Sequence, residues 1–240
     1  MFDNEAADPA LEFSNWLHEE LVASYANETE SWALDRVSRV MARLNSHRQD
    51  GNPLEAIILW APAPTAFTTV GKYVYITRAL LERMPDDDST AFWLAHEAAH
   101  HDLGHLDLFG QWARWIPRVS GARYIAAIAR LLEYRAYGPE KEADADAYAV
   151  ELCVDAGFDG DKCIQAFSIL ENLALDRGDI DGVFGPESLL DPTDPESNSA
   201  MYVAQRWLWT KARGYLPLRE RRERAVRQLG RKRARDGGVA

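Results

Sequence analysis

Four of the six histidines in the chain lie within ten residues, in the segment 93–105, which reads WLAHEAAHHDLGH. His96 and His100 are four residues apart, so on an α-helix their side chains lie on the same face, one turn apart, and can bind one metal ion together. Glu97 projects beside that position, where a general base can take a proton from a metal-bound water. The HExxH spacing therefore predicts a metal site with a catalytic base.

A catalytic zinc ion takes three protein ligands and one water, so this site needs a third ligand. His105 invites comparison with the metzincin pattern HExxHxxGxxH. Here, however, the glycine and the histidine lie four and five residues past His100, where that pattern needs three and six. His101 lies about 100° round the helix from His100 and points elsewhere. We therefore expect the third ligand to come from outside this segment.

A glutamate on a downstream helix is the alternative source of the third ligand. The segment 138–148, GPEKEADADAY, holds two carboxylate pairs at a spacing of four, Glu140 with Asp144 and Glu142 with Asp146. Either pair would place both carboxylates on one face of a helix. One carboxylate can then bind the metal ion, while the other accepts a hydrogen bond from a ligand imidazole. The spacing alone does not choose between the two pairs.

The rest of the chain predicts a mainly α-helical protein with a few short strands, that is, an α+β fold. The sequence pattern predicts helices at residues 31–44, 79–83, 90–103, 123–137, 142–155 and 162–175, and a last helical region at 200–229 that is broken at 214–217. A buried strand is expected at 56–60, and residues 68–77 are rich in β-branched and aromatic side chains with a glycine suited to a hairpin. Ser89 or Asp88 is the expected N-cap of the helix that carries the histidines.

Charge is unevenly distributed along the chain. The net charge is −11, yet residues 206–235 hold twelve Lys and Arg against two Glu. An acidic body argues against general nucleic-acid binding, and we interpret the basic region as a solvated arginine-rich helix, with RNA or anionic lipid binding as the alternative. The two cysteines make no disulfide framework, and no signal peptide or membrane span is visible. These features predict a cytoplasmic protein.

The histidine motif and the acidic segment together resemble the gluzincin zinc peptidases of family M48, which include the HtpX-type proteases and the CAAX prenyl endopeptidases. The family pattern is HExxH, then ExEAD, then an apolar helix that ends in AG(F/Y)D. HEAAH at 96–100, EKEAD at 140–144 and AGFD at 156–159 match it. The resemblance implies a zincin-like fold, with a small antiparallel sheet or hairpin over the HExxH helix.

The resemblance also implies a role for each matched residue, with one zinc ion per chain. It makes His96, His100 and Glu140 the zinc ligands and Glu97 the catalytic base. Asp144 would be the hydrogen-bond partner of a ligand histidine, and His105 falls where many members carry a histidine near the site.

Two flanking segments extend the resemblance. Residues 65–81, TAFTTVGKYVYITRALL, are similar to the family's NAFALPGGYVFVTRGLL segment, and residues 215–229 are similar to its closing THPPLxERIxxL segment. We expect an extended substrate to add as a β-strand along 70–77, where main-chain hydrogen bonds would position it. The expected contacts are Val70, Lys72, Tyr73, Val74 and Tyr75. The acidic loop 176–198 is expected to form a lid.

Two positions depart from the family. Thr65 stands where members commonly have Asn, and Leu216 where they have His; both family residues are thought to stabilise the charged intermediate, and loss of one such donor costs ~10²–10³ in rate. The sequence predicts a zinc-dependent endopeptidase acting on proteins or peptides, with a weak or inactive zinc-binding chaperone or adaptor as the alternative. We expect an N-terminal extension at 1–29, one metallopeptidase domain at 30–230 and a disordered basic tail at 231–240.

Overall fold

The computed structural model describes residues 8–25, 30–61, 64–106, 139–176 and 218–237. Over these residues the predicted α+β, mainly helical class is confirmed. The helices are α1 (Pro9–Tyr25), α2 (Ser31–Asn45), α3 (Arg78–Leu81), α4 (Asp87–Asp102), α5 (Pro139–Asp155), α6 (Gly160–Asp176) and α7 (Leu218–Gly237), and the strands are β1 (Glu55–Leu59), β2 (Ala66–Thr68) and β3 (Tyr73–Thr77). The helix expected at 123–137 and nearly all of the expected lid lie outside the described residues.

The three strands form one mixed sheet in the order β1-β3-β2. β2 and β3 form the predicted hairpin, and Gly71 in its turn has a φ of +105°, in the region that favours glycine. β1 runs parallel to β3, with Glu55 opposite Tyr73. The expectation of an antiparallel sheet is therefore corrected. Only the hairpin pair β2–β3 is antiparallel among the described strands, and β1 runs in the same direction as β3.

Helix α4 carries the histidine motif through the centre of the described fold. Its residues from Ser89 to His100 are all buried, as expected for a helix surrounded by other elements. The sheet, α2, α5 and α6 all pack against it. The Asp86 carboxylate accepts a hydrogen bond from the backbone N–H of Ser89 at 2.9 Å. The predicted caps, Ser89 and Asp88, are corrected to Asp86, because the helix already begins at Asp87.

The expected N-terminal extension contains a helix that covers one face of the sheet. Four residues of α1 at helical spacing are buried there against Leu59, Phe67 and Tyr75 of the strands: Ala10, Phe13, Leu17 and Leu21. The hydroxyl group of Ser14 also donates a hydrogen bond to Thr69 Oγ1 in the hairpin, at 2.8 Å. The other face of the sheet packs on α4 and forms part of the main core. The sheet is thus covered on both faces.

Phe13→Ala is expected to reduce the free energy of unfolding by about 3–5 kcal/mol, because it removes a fully buried ring between α1 and the sheet. Urea denaturation followed by circular dichroism measures the loss. Asn15→Ala is the matched control, since Asn15 lies exposed on the same helix and its replacement should change the value by less than about 0.5 kcal/mol. Equal midpoints for the two variants would contradict the docking of α1 on the sheet.

Helix α7 carries nine of the twelve Lys and Arg of the basic region 206–235, and it is packed rather than fully solvated. Leu218, Ala225 and Leu229 form a buried stripe along it. Several of its cations pair with acidic residues of α5 and α6: Arg233 with Asp161 at 2.7 Å, Arg235 with Glu151 at 3.1 Å and Lys232 with Asp155 at 2.5 Å. This pairing offsets much of the basic charge. The helix continues to Gly237, so residues 231–237 are not the disordered tail that we expected.

Each of the described helices is too short or too polar to cross a bilayer.

Candidate metal centre

Three buried side chains converge beside α4. His96 and His100 lie one helical turn apart, and their Nε2 atoms are 3.3 Å from each other. Glu142, in the first turn of α5, places Oε2 at 3.5 Å from His96 Nε2 and Oε1 at 3.6 Å from His100 Nε2. Within the described part of the chain, these three residues are the group whose ligand atoms lie close enough together to hold a metal ion.

The arrangement fits zinc in both donor type and spacing. Imidazole nitrogen and carboxylate oxygen bind zinc at about 2.0–2.2 Å, so neighbouring donors in a tetrahedral site lie about 3.4 Å apart. The separations of 3.3, 3.5 and 3.6 Å are close to this value. Two histidines and one glutamate also form the donor set of a catalytic zinc site that keeps its fourth position for water.

The structure corrects the choice of glutamate on α5. Glu142 and Asp146 are buried and face α4, whereas Glu140 and Asp144 are exposed. Residues two apart on an α-helix point about 200° away from each other, so the two pairs cannot face the histidines together. Of the two pairs that the spacing allowed, the one beside the histidines is Glu142 with Asp146, not the pair that the resemblance selects.

Both site histidines have a partner for their second ring nitrogen. His96 Nδ1 lies 3.0 Å from Asp146 Oδ1, so the carboxylate faces this nitrogen while Nε2 faces the site. His100 Nδ1 lies 2.9 Å from His105 Nδ1. With His100 Nε2 directed into the site, its Nδ1–H donates to His105. His105 thus contacts the side of the His100 ring that faces away from the three converging donors. This placement agrees with the sequence, in which the spacing of His105 does not match the metzincin pattern.

The end of α4 turns His105 back towards the site. Gly104 has a φ of +65°, and the His105 backbone N–H donates to the His100 carbonyl at 3.0 Å. This is the left-handed glycine ending that is common at helix C-termini. His101, on another face of the helix, lies with Nε2 at 2.5 Å from Thr68 Oγ1 and so connects α4 to β2.

One residue of the site was missed by sequence reasoning. Arg221 of α7 makes two hydrogen bonds of 2.8 Å to Asp146, one from Nε to Oδ2 and one from Nη2 to Oδ1. Its Nη2 also lies 3.2 Å from Glu142 Oε2. The signal that could have found it is helical spacing, because position 221 falls in the buried stripe that begins at Leu218 and continues at Ala225.

The electrostatics of the site follow from burial and from these pairs. Burial disfavours the charged form of His96, but hydrogen bonds to Asp146 and Glu142 more than offset it and raise its pKa to about 10. Burial lowers the pKa of His100 well below its usual value, and the positive His96 lowers it further. Burial would raise the pKa of Asp146, but Arg221 outweighs this effect and lowers that pKa to about 2.

The formal charges of the buried cluster leave room for a divalent cation. Glu97 is buried on α4 beside His96, with only 4% of its surface exposed. Glu97, Glu142 and Asp146 are three carboxylates against the single guanidinium of Arg221, a formal net charge of −2 once His96 has lost its proton and both imidazoles are in the neutral form that binds a metal ion. Buried charge of one sign is costly unless it is compensated. A bound divalent cation would bring this cluster to neutrality.

The predicted substrate strand does not have a free edge. β3 is the central strand, and Val74 is opposite Ala56 of β1 on one side and Thr68 of β2 on the other. Both of its hydrogen-bonding edges are therefore occupied. Among the described strands, β2 has a neighbour on one side only, and it lies against α4. The expectation that a substrate pairs along 70–77 is corrected, and β2 is the edge strand nearest the site.

The side chains expected to contact substrate point elsewhere. Tyr75 is fully buried beneath α1 and stacks on Phe67, with ring centroids 4.8 Å apart. Tyr73 stacks on His18 of α1 at 3.7 Å. Lys72 is exposed and pairs with Glu55 at 2.7 Å, while Val74 lies in the main core and Val70 packs on Leu106.

Of the two positions that depart from the family pattern, the structure describes one, Thr65. Thr65 is buried; its backbone N–H donates to Thr77 Oγ1 at 2.9 Å, and its hydroxyl group donates to the Ala66 carbonyl at 3.3 Å. It therefore secures the start of β2 to the end of β3. Leu216 lies outside the described residues.

Comparison with known proteins agrees with the geometry at the level of the family. A sequence comparison with curated proteins finds no match. The model of peptidase family M48 matches residues 27–210, which include β1 to α6 and all three converging side chains. This match covers more than half of the chain, and with it the predicted resemblance is confirmed: the chain belongs to peptidase family M48.

Proposed function

We propose that the protein is a zinc-dependent endopeptidase in which His96, His100 and Glu142 bind the zinc ion and Glu97 is the catalytic base. One observation carries the proposal: three buried donors of the right kind converge at separations of 3.3–3.6 Å, directly beside a buried glutamate. Membership of a metallopeptidase family supports the same conclusion. Proteins or peptides would be the substrates.

The chemistry divides between the metal and this chain. A zinc ion bound by three such ligands lowers the pKa of its water to about 7 and polarises a carbonyl group. Glu97 takes a proton from the attacking water and transfers it to the leaving amine nitrogen. Asp146 and His105 hold the His96 and His100 rings in the orientation that directs Nε2 into the site.

The substrate would lie along the edge of β2 that pairs with no other described strand. Main-chain hydrogen bonds to Ala66–Thr68 would extend the sheet by one strand and place the peptide beside α4. The contact between Thr68 and His101 supports this placement, because it fixes the edge strand to the helix that carries the catalytic base. Backbone recognition of this kind positions an extended peptide with little dependence on its side chains.

Glu97→Gln is expected to retain one zinc ion per chain and to reduce cleavage of a denatured protein substrate by ~10²–10⁴-fold, the usual contribution of a general base. The amide is nearly the same size as the carboxylate but cannot accept the proton. Metal analysis after dialysis and cleavage of denatured casein measure the two quantities. Asp35→Asn, on the exposed face of α2, is the control and should match the wild type in both.

The same experiment distinguishes the peptidase from a second candidate function. Thr65 and Leu216 replace family residues that are thought to act on the intermediate, which favours a zinc-binding chaperone or adaptor of low activity. Stoichiometric zinc with no cleavage by the wild type would support this function against the peptidase. Cleavage that persists unchanged in Glu97→Gln would reject the assigned base.

A further inference from the structure

We propose that Arg221 is a positioning residue for the metal centre, which holds Asp146 and Glu142, and through Asp146 the His96 ring, in the metal-binding arrangement. The inference deepens the proposed function and rests on it. Arg221 comes from α7, which lies beyond residues 27–210 that match the family model. The C-terminal helix would therefore complete a metal site whose three donors all lie within the matched region.

The contacts of Arg221 lead directly to the metal donors. Two adjacent nitrogens of its guanidinium group donate to the two oxygens of Asp146, both at 2.8 Å, which fixes the plane of that carboxylate. Asp146 Oδ1 in turn lies 3.0 Å from His96 Nδ1. The third contact, of 3.2 Å to Glu142, holds a second donor from the same guanidinium. One side chain thus restrains two of the three metal-binding residues.

The surroundings of Arg221 argue that this geometry is specific. The side chain is 4% exposed, and its guanidinium lies 5.7 Å from the centroid of the buried Phe167 ring. An unpaired charge there would be strongly unfavourable, so the guanidinium is stable only in the paired position. Lysine could supply the charge at this point, but not the planar fork that bonds both oxygens of one carboxylate.

The helix that carries Arg221 is itself fixed to α5 and α6. Gln228 donates to Glu151 at 2.6 Å, and Arg233 donates to Asp161 at 2.7 Å. Leu218 and Leu229 lie in the main core on either side. Because these contacts do not involve Arg221, replacing it should leave α7 docked. The effect on the metal site can then be measured separately from the loss of the helix.

The test compares Arg221→Lys and Arg221→Met with the wild type by zinc titration against a chromophoric chelator. We expect the dissociation constant for zinc to rise about 10- to 100-fold in both variants, the usual effect of losing a partner that orients a metal ligand. Arg222→Met is the matched control, because it removes the neighbouring, partly exposed arginine, and it should bind zinc like the wild type. Each titration is made at a temperature where circular dichroism shows a folded protein.

If Arg221 supplied only a positive charge, or only stabilised the fold, the zinc titrations would give different results. If only the positive charge matters, Arg221→Lys should bind zinc like the wild type and Arg221→Met should bind it more tightly, since a repelling cation is gone. If Arg221 only stabilises the fold, the unfolding midpoint should fall while the zinc affinity of the folded protein stays unchanged. Either result would overturn the proposal. Should Arg221→Met fail to fold, Arg221→Lys alone still decides between these outcomes.

A spectroscopic readout completes the test independently of activity. The visible absorption of the cobalt-substituted protein depends on ligand identity and geometry, so it should change in Arg221→Lys and stay unchanged in Arg222→Met. An unchanged spectrum in Arg221→Lys would overturn the positioning role. Zinc binding by the wild type without peptide cleavage would contradict the proposed peptidase function and still leave the comparison of Arg221 variants decisive.

Discussion

Glu142→Gln is expected to abolish stable zinc binding and to reduce peptide cleavage by more than ~10²-fold, whereas Glu140→Gln should change neither. The first substitution removes one of three metal donors, which is more severe than losing a residue that only orients a ligand. The second alters an exposed side chain on the opposite face of α5. Metal analysis after dialysis against a weak chelator, followed by a cleavage assay on the same samples, measures both effects.

The two substitutions are matched in chemistry and differ by two positions on one helix. Each exchanges a carboxylate for an amide near the N-terminus of α5, so any general effect on the helix is shared. Asp146→Asn extends the comparison, because it weakens the partner of His96 and should reduce zinc affinity by about 10- to 100-fold. Zinc lost from Glu140→Gln and retained by Glu142→Gln would reject the arrangement seen here.

Local sequence signals predicted much of the fold. Apolar spacing placed a helix at 31–44, and α2 spans Ser31–Asn45. The apolar run 56–60 became β1, Glu55–Leu59, and the glycine at position 71 lies in the predicted hairpin turn. These elements were predictable because burial of one face and the conformation of a single glycine depend on residues close in sequence.

The choice between the two acidic pairs shows where motif matching stopped short. Both pairs satisfy a spacing of four, but the family pattern ExEAD matches residues 140–144 and so selects Glu140 with Asp144. The apolar residues of α5 would have decided between them, since Ala145, Ala149 and Cys153 are buried and continue the face of Glu142. Glu140 and Asp144 fall on the other side. The spacing of four and the position of the buried stripe together therefore identify the acidic pair that faces the histidines, whereas the family pattern alone does not.

Other features were beyond local reasoning. The parallel pairing of β1 with β3 depends on how the hairpin folds against the preceding strand, which no residue of β1 specifies. The contact between Arg221 and Asp146 joins residues 75 positions apart. Such pairs are set by the packing of α7 on α5 and α6, and a single sequence supplies no direct signal for that packing.

A second buried charge network joins three helices at the far end of α4. Arg48, just after α2, places Nη2 at 2.5 Å and Nε at 3.1 Å from Asp102 Oδ1, and neither side chain is exposed. The hydroxyl group of Tyr148 on α5 donates to Asp102 Oδ2 at 2.5 Å. Arg48 also donates to the Asn52 carbonyl at 2.7 Å. Asp102 is therefore the shared acceptor that ties α2 and α5 to the last turn of the histidine helix.

Asp102→Asn is expected to reduce the free energy of unfolding by about 3–5 kcal/mol, because it leaves the buried Arg48 guanidinium with the partly exposed carboxylate of Asp50, at 3.9 Å, in place of its close buried partner. This is a large part of the ~5–15 kcal/mol that stabilises a typical domain. Glu55→Gln is the control: it breaks the pair with Lys72, whose side chains are 55% and 54% exposed, and should cost less than about 1 kcal/mol. Urea denaturation of both variants, with saturating zinc and without it, measures the difference. Similar midpoints for the two variants would show that the buried network contributes no more than a surface ion pair.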